Sequence, residues 1–205
     1  MKKKKISKSW LIKHKKDSFF KQSRIQGYRS RSAFKLLELD KKFNFLNKKT
    51  NLLDLGAFPG GWSQIARKKI KNGKIVALDK KNIHEIKGVN SIKGDFFDER
   101  IKKVIFDNFK EGVDVILSDM AADTTGNKSL DCIRTNQLCL EVLDFSKKLL
   151  IENGVVVTKL FMGEDFEEVK IKAKKNYRKI NFFKPISSRD ESRETYIHCS
   201  GLSTL

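Results

Sequence analysis

The chain is poor in the residues that build disulfide scaffolds, zinc sites and membrane spans. Its three cysteines, Cys132, Cys139 and Cys199, show no C-x-x-C spacing and are too few for a disulfide framework, so they read as buried, reduced thiols. Its three histidines, His14, His84 and His198, are scattered, with no close His/Cys/carboxylate cluster; no metal site is expected. No apolar run approaches the roughly 20 residues that a membrane span requires. The lysines after Met1 lead into no apolar stretch of the kind a signal peptide carries. A cytoplasmic protein with no membrane partner is therefore expected. The fingerprint G-x-G-x-x-G of dinucleotide oxidoreductases is missing as well, since Pro59-Gly-Gly-Trp62 does not supply it. With no internal repeat and no linker, 205 residues and 23.7 kDa suit one core.

What the chain has in excess is positive charge. Lys and Arg number 44 against 25 Asp and Glu, a net charge of +19, and the pI is near 9.8. Such a balance points to a polyanionic partner such as nucleic acid. Richness in Lys, Asn, Ile and Phe with only two prolines fits an AT-rich coding sequence and explains part of the charge. It does not explain so few acidic residues. Residues 1–26 form a basic segment with scattered aromatics, Trp10, Phe19 and Phe20, read as partly flexible and able to order against RNA; Lys2 to Lys5 read as a solvated tail. Residues 27–205 are read as the single domain.

From residue 51 onward strand and helix patterns alternate. Strands are predicted at 51–56, 74–79, 91–94, 113–118 and 154–160, and helices at 61–70, 98–109, 129–150 and 165–176, with Asn72-Gly73 and Asn153-Gly154 as stop signals. Such alternation implies a mainly parallel sheet with helices on both faces. Two further strands, 178–183 and 194–200, end the chain as a hairpin, which makes one of them antiparallel. Upstream, Ser30 or Ser32 can cap a helix whose apolar face includes Ala33, Leu36 and Leu37.

The densest signal is Asp54-Leu-Gly-Ala-Phe-Pro-Gly-Gly-Trp-Ser-Gln64, a buried strand entering a glycine-rich turn and then a helix. Gly60 and Gly61 allow a sharp turn and close backbone approach, which suits a nucleotide-like cofactor but also a purely structural corner. Ligands of open parallel sheets bind beyond the carboxyl ends of the strands. Polar residues fall at those ends: Asp79, at the offset from the glycines where an acidic side chain accepts from ribose hydroxyls; Asp95 beside the aromatic Phe96, fit for an adenine; Asp119; and Lys159. Singly, each reads equally well as a helix cap or a solvated end. Jointly they line one rim.

These residues, with Arg29-Ser-Arg-Ser-Ala-Phe-Lys-Leu36, Gly94-Asp-Phe96, Ser118-Asp-Met-Ala121, Lys159-Leu-Phe-Met-Gly-Glu164, Lys184-Pro-Ile-Ser-Ser-Arg189 and Ser192-Arg-Glu-Thr-Tyr196, resemble the FtsJ (RrmJ) family of ribosomal RNA 2′-O-methyltransferases over nearly the whole chain. The resemblance implies a Rossmann-like methyltransferase fold with a mostly parallel seven-stranded sheet and one antiparallel strand near the C-terminus. It implies a catalytic tetrad at Lys35, Asp119, Lys159 and Glu194. It also implies S-adenosylmethionine as cofactor, leaving as S-adenosylhomocysteine, with contacts at Gly60, Trp62, Asp79, Asp95 and Asp119; Gly56, Gly61 and Phe96 complete the expected cofactor site. The implied substrate is a uridine of large-subunit (23S) ribosomal RNA in the nearly assembled subunit, and the implied state a monomer. Two departures stand out: Phe58 replaces a small residue in the cofactor loop, and Ala122-Asp123 stands where the family has Pro-Asn.

Methyl transfer to a ribose hydroxyl needs a group that removes the hydroxyl proton. A lysine can do so once neutral, a state that burial and neighbouring positive charge favour in general. Lys159 is the candidate base, oriented by Asp119, with Lys35 and Glu194 holding the hydroxyl and the lysines in place. A 2′-hydroxyl target means RNA and not DNA, with Arg29, Arg31, Lys184 and Arg189 expected on phosphates. Three alternatives compete. Base methylases need Asn/Asp-Pro-Pro-aromatic or Pro-Cys after the fourth strand, where this chain has Ser-Asp-Met-Ala. A catalytically idle RNA-binding or ribosome-assembly factor would not need all four tetrad residues. A 2′-O-methyltransferase for another RNA stays open.

Overall fold

The computed structural model describes residues 18–163 and 165–203; Lys2 to Lys5, Trp10 and His14 lie outside them. Two helices come first, α1 (Ser18–Ile25) and α2 (Ser32–Phe43). The alternating part follows as β1 (Leu52–Leu55), α3 (Gly61–Lys69), β2 (Ile75–Asp79), β3 (Asn90–Lys93), α4 (Glu99–Asn108), β4 (Val113–Ser118), α5 (Lys128–Leu149), β5 (Leu150–Phe161), α6 (Phe166–Asn176), β6 (Tyr177–Phe183) and β7 (Glu194–Leu202). They form one seven-stranded sheet in the order β3-β2-β1-β4-β5-β7-β6. The pairings from β3 to β5 are parallel, and β7 runs antiparallel to both of its neighbours. The expected seven-stranded α/β architecture with its one reversed strand is what the chain adopts.

Side chains of a strand alternate between faces, and the strands here are apolar on both. Leu53, Leu55, Val76, Leu78, Ile116 and Val156 pack with Ile105 of α4, Leu143 of α5 and Val169 of α6 on one face. Leu52, Ile75, Val115, Leu117 and Val157 pack with Ala33, Leu36 and Leu39 of α2 and Ile65 of α3 on the other. Burying each such leucine or isoleucine contributes about 1.5–3 kcal/mol, so the two layers fix which helix covers which face. The face beneath α2 matters for function, because it brings Lys35 against β7.

Two local expectations are corrected. No serine side chain caps α2: Arg31 occupies the capping position, while the Ser30 and Ser32 hydroxyls hydrogen-bond each other at 2.7 Å. Asn153-Gly154 is not a helix stop but lies inside β5, which takes over directly from α5 at Leu150 and is bulged against β4 between the Val113 and Val115 pairings. The basic N-terminal segment is helical from Ser18, and Phe19 packs on Phe34 with ring centroids 5.4 Å apart. The three cysteines are buried and free, as expected; burial pushes the Cys139 thiol up to about 12. Among the described residues no helix is long and apolar enough to cross a membrane, and no group of His, Cys, Asp and Glu could hold a metal ion.

Candidate active site

The strand ends open into a cleft of about 620 Å³ lined by Gly56, Phe58, Asp79, Asp95, Phe96, Phe97, Asp119 and Met120, among others. That volume suits a nucleoside-sized ligand. Gly56 turns the chain after β1 with φ +71°, and a Cβ there meets Met120 Cγ at 2.5 Å, so the loops after β1 and β4 touch at the cleft floor. Asp79 accepts from the backbone N–H of Phe58 at 2.9 Å and of Lys81 at 2.8 Å, which ties the glycine-rich loop to the end of β2. Asp95 lies in the turn beyond β3 rather than on the strand. The Phe97 N–H and Lys80, the latter at 2.9 Å, hold its carboxyl below the usual carboxylate range. Phe96 is largely spent on the core, edge-on to Phe145 at 5.2 Å, whereas Phe97 is exposed at the cleft. The departing Phe58 lines the cleft too, with Lys81 Nζ 4.9 Å from its ring centroid.

The rest of the loop also makes contacts within the protein. Trp62 is buried, donates from Nε1 to the Ser32 carbonyl at 2.8 Å and packs 5.7 Å from the Tyr196 ring. At Gly60 a Cβ meets Ile86 and Arg29, and at Gly61 it strikes the Ser30 side chain. Close packing against Ser30 leaves no room for a side chain at Gly61, and Gly60 adopts φ +102°, which favours glycine. Among the expected cofactor contacts, Gly56, Asp79, Asp95, Phe96 and Asp119 face the cleft, while Gly60, Gly61 and Trp62 lie outside its lining.

The expected tetrad assembles as two ion pairs. Lys159 Nζ donates to the Asp119 backbone carbonyl at 2.6 Å and to its Oδ1 at 3.0 Å. Lys35 Nζ lies 2.7 and 2.9 Å from the two Glu194 carboxylate oxygens. Lys35, Lys159 and Glu194 are all buried, where an unpaired charge costs several kcal/mol, so each lysine needs its partner. Sheet register sets this up: Lys159 stands opposite Tyr196 and Phe161 opposite Glu194. Residues 159 and 161 therefore share the α2-covered face with 194 and 196.

Tyr196 is the residue that motif reading quotes without a role. Its hydroxyl donates to Asp119 Oδ1 at 2.6 Å, and Lys35 Nζ lies 5.8 Å from its ring centroid, so it bridges the two pairs. Its period-two spacing from Glu194 was the available signal. Burial pushes the Asp119 carboxyl up, but the charges of Lys159 and Lys35 and hydrogen bonds from Tyr196 and Lys159 outweigh it and hold the group at about 2. Asp54 goes the other way. Burial within β1 raises it to about 7, despite a 2.6 Å hydrogen bond from the Ser63 hydroxyl.

The arginines expected on phosphates are engaged internally. Arg29 donates to the carbonyls of His84 and Glu85, each at 2.5 Å, and of Pro59 at 3.4 Å. Arg31 donates to the Ser187 carbonyl, and Glu38 accepts from the Ile186 and Ser187 N–H groups; together they anchor the loop that carries Arg189. Lys184 donates to the Ser192 carbonyl at 2.8 Å, and Arg189 is exposed.

A model of the FtsJ-like methyltransferase family matches residues 28–202, a span that includes every residue of the cleft and both ion pairs. The chain belongs to that family. It is 45% identical over 97% of its length to Ribosomal RNA large subunit methyltransferase E of Pelagibacter ubique, covering 98% of that protein. It is 41% identical to the protein of the same name from Rickettsia canadensis, over 93% of this chain and 87% of the other. A Plasmodium falciparum crystal structure assigned to a ribosomal RNA methyltransferase superposes with a TM-score of 0.77 at 30% identity, over 85% of this chain and 98% of that one. The family's cofactor is S-adenosylmethionine, and the cleft fits it. Asp79 and Asp95 offer acceptors for hydroxyl and amino groups of a nucleoside, Phe96 and Phe97 an aromatic wall, and Asp119 a negative charge toward a cationic sulfur.

Proposed function

We propose that this chain methylates the 2′-hydroxyl of a uridine in large-subunit (23S) ribosomal RNA, acting as a cytoplasmic monomer on the assembled 50S subunit. The observation that carries the reading is the paired-lysine rim, Lys159–Asp119 and Lys35–Glu194 joined through Tyr196, at the edge of a nucleoside-sized cleft. The names of the Pelagibacter and Rickettsia relatives support the ribosomal substrate.

S-adenosylmethionine, when bound, would supply an electrophilic methyl group on a sulfonium, the bonding pair staying with the sulfur of S-adenosylhomocysteine as the neutral leaving group. The protein's part is to place the hydroxyl and take its proton. A neutral amine has two N–H donors and one lone pair. Lys159 can therefore keep both hydrogen bonds to Asp119 and still aim its lone pair at a ribose hydroxyl. Asp119 stays ionised, being held at about 2, and so orients Lys159 at any physiological pH. Lys35, fixed by Glu194, contributes an N–H donor for the oxygen of the same hydroxyl. A carboxylate-only rim could not do this, because ionised carboxylates donate no hydrogen bond.

The reading is tested by mapping 2′-O-methylation in ribosomal RNA, by mass spectrometry, from cells with and without the protein. One 2′-O-methyluridine of the large-subunit RNA is expected to vanish with it. An unchanged map removes the ribosomal substrate.

A further inference from the structure

We infer that the end of the sheet opposite the active site carries a second RNA-binding surface, which grips phosphates of the large subunit away from the modified nucleotide. The inference rests on the ribosomal reading above and extends it to a second site.

Residues 41–50 and 67–74 together carry nine lysines and arginines and no acidic residue. The fold gathers these two stretches at one place. α2 ends at Phe43 and α3 at Lys69, and the segments that follow lead into the amino ends of β1 and β2. The Lys48 carbonyl accepts from the N–H groups of Lys71 at 3.0 Å and Asn72 at 2.8 Å, and Leu52 N–H donates to the Lys74 carbonyl at 2.8 Å. Asp40, one residue before Lys41, is ion-paired with Lys69 and is otherwise consumed by the N–H groups of Phe45 and Leu46. It therefore neutralises nothing else.

Lys41, Lys42, Lys48, Lys49 and Lys71 are all exposed, and no ion pair among the described residues includes them. Some lysines elsewhere on the surface sit beside acids, Lys102 with Glu99, Lys147 and Lys172 with Asp144, Lys170 with Glu167. Others, such as Lys174 and Lys175, are exposed without an ion pair among the described residues. What sets this patch apart is nine basic residues and no acid in two stretches that the fold joins. Complementing the helix dipole accounts for lysines in the last turns of α2 and α3, but Lys48, Lys49 and Lys71 lie beyond those turns. Unpaired like charges held together repel one another, and a polyanion relieves that repulsion while releasing its counterions.

The partner follows from distance. The six residues of β4 put the two sheet ends about 20 Å apart before loops are added. The nucleotides immediately next to the target, about 3.4 Å apart along a stacked strand, fall short of this patch. A second, folded RNA segment of the same subunit can.

The test uses the full chain with large ribosomal subunits that lack the modification. The variant Lys42→Glu/Lys48→Glu/Lys71→Glu is expected to raise the KM for subunits at least about tenfold near physiological salt. It should also flatten the log–log salt dependence of subunit binding by about 2–3, roughly one unit for each phosphate no longer neutralised. Cofactor affinity and kcat at saturating subunits stay at wild-type values. The neutral variant Lys42→Gln/Lys48→Gln/Lys71→Gln should move KM in the same direction by less, and decides the matter if the Glu variant melts early. Reversing Lys174 and Lys175, exposed on α6, should leave KM unchanged. Unaltered KM and salt slope in the patch variants, or an equal rise in the α6 variant, overturns the patch. If wild type leaves the subunits unmethylated, the proposed function fails instead, and subunit binding by the same variants still decides the patch.

Discussion

The two ends of the same strands treat lysine in opposite ways. At the carboxyl ends Lys159 and Lys35 are buried and matched to Asp119 and Glu194; at the amino ends Lys41, Lys42, Lys48, Lys49 and Lys71 are exposed and unmatched. Burial decides the difference. A desolvated ammonium must be paired to be tolerated, and pairing fixes its geometry well enough for chemistry. A solvated ammonium needs no partner, keeps its rotamer freedom and suits loose contact with phosphate. A net charge of +19 thus hides two populations, a small one buried and held by carboxylates and a larger one in solvent.

Several variants test that division. Lys159→Ala is expected to lower kcat by about 10²–10⁴-fold, the range for removal of a general base, with cofactor affinity by calorimetry within about twofold of wild type. Lys35→Ala leaves Glu194 buried and unpaired, at a stability cost of about 3–5 kcal/mol. The double variant Lys35→Met/Glu194→Leu should recover much of that stability but none of the activity, a split that denaturant melts and turnover assays read separately. Tyr196→Phe keeps the ring against Trp62 and removes one hydrogen bond to a charged acceptor, worth about 1.5–3 kcal/mol. It should lower kcat about tenfold and leave KM for the cofactor unchanged. Each amino-end lysine changed singly should leave kcat alone.

The two carboxyl groups of the rim region give the smallest and most diagnostic effect, on stability against pH. Asp119 is held at about 2, below its ordinary 3.8, so its contribution is present above pH 4 and is lost as pH falls toward 2. Asp54 is raised from 3.8 to about 7. The folded state then binds the extra proton, and stability falls as pH rises from about 4 to 7. Asp54→Asn, which can still accept from Ser63, should flatten thermal midpoints across that window. An Asp54→Asn protein whose midpoint keeps the wild-type slope would show that Asp54 is not the group responsible.

Much of this was legible in the residues. The alternation of apolar strands with helices fixes the sheet because both faces must be covered, and the hairpin of β6 and β7 could be read from the short connection at Pro185. Strand-end polarity located the cleft through Asp79, Asp95 and Asp119, with Lys159 paired to the last of them. Three things were not legible, each for a reason of tertiary packing. Tyr196 bridges the ion pairs only because β7 inserts beside β5 in register with Lys159. Arg29 reads as a phosphate ligand, and its hydrogen bonds to the carbonyls of residues 59, 84 and 85 depend on a loop that folding brings to it. Trp62 and the glycines beside it read as cofactor contacts, and the neighbours they have within the protein, Ser32 for Trp62, Ser30 for Gly61, and Ile86 and Arg29 for Gly60, could not be read from the motif. Local sequence shows that a sharp turn is needed; it does not show which neighbour forces it.

The most direct measurement is a transfer assay with labelled S-adenosylmethionine and unmodified large ribosomal subunits, followed by nuclease digestion and identification of the labelled nucleoside. Wild type is expected to place the label in 2′-O-methyluridine, and Lys159→Ala, binding the cofactor normally, to place almost none. Label on a base, or substantial 2′-O-methyluridine from Lys159→Ala, contradicts a ribose-directed site built on that lysine.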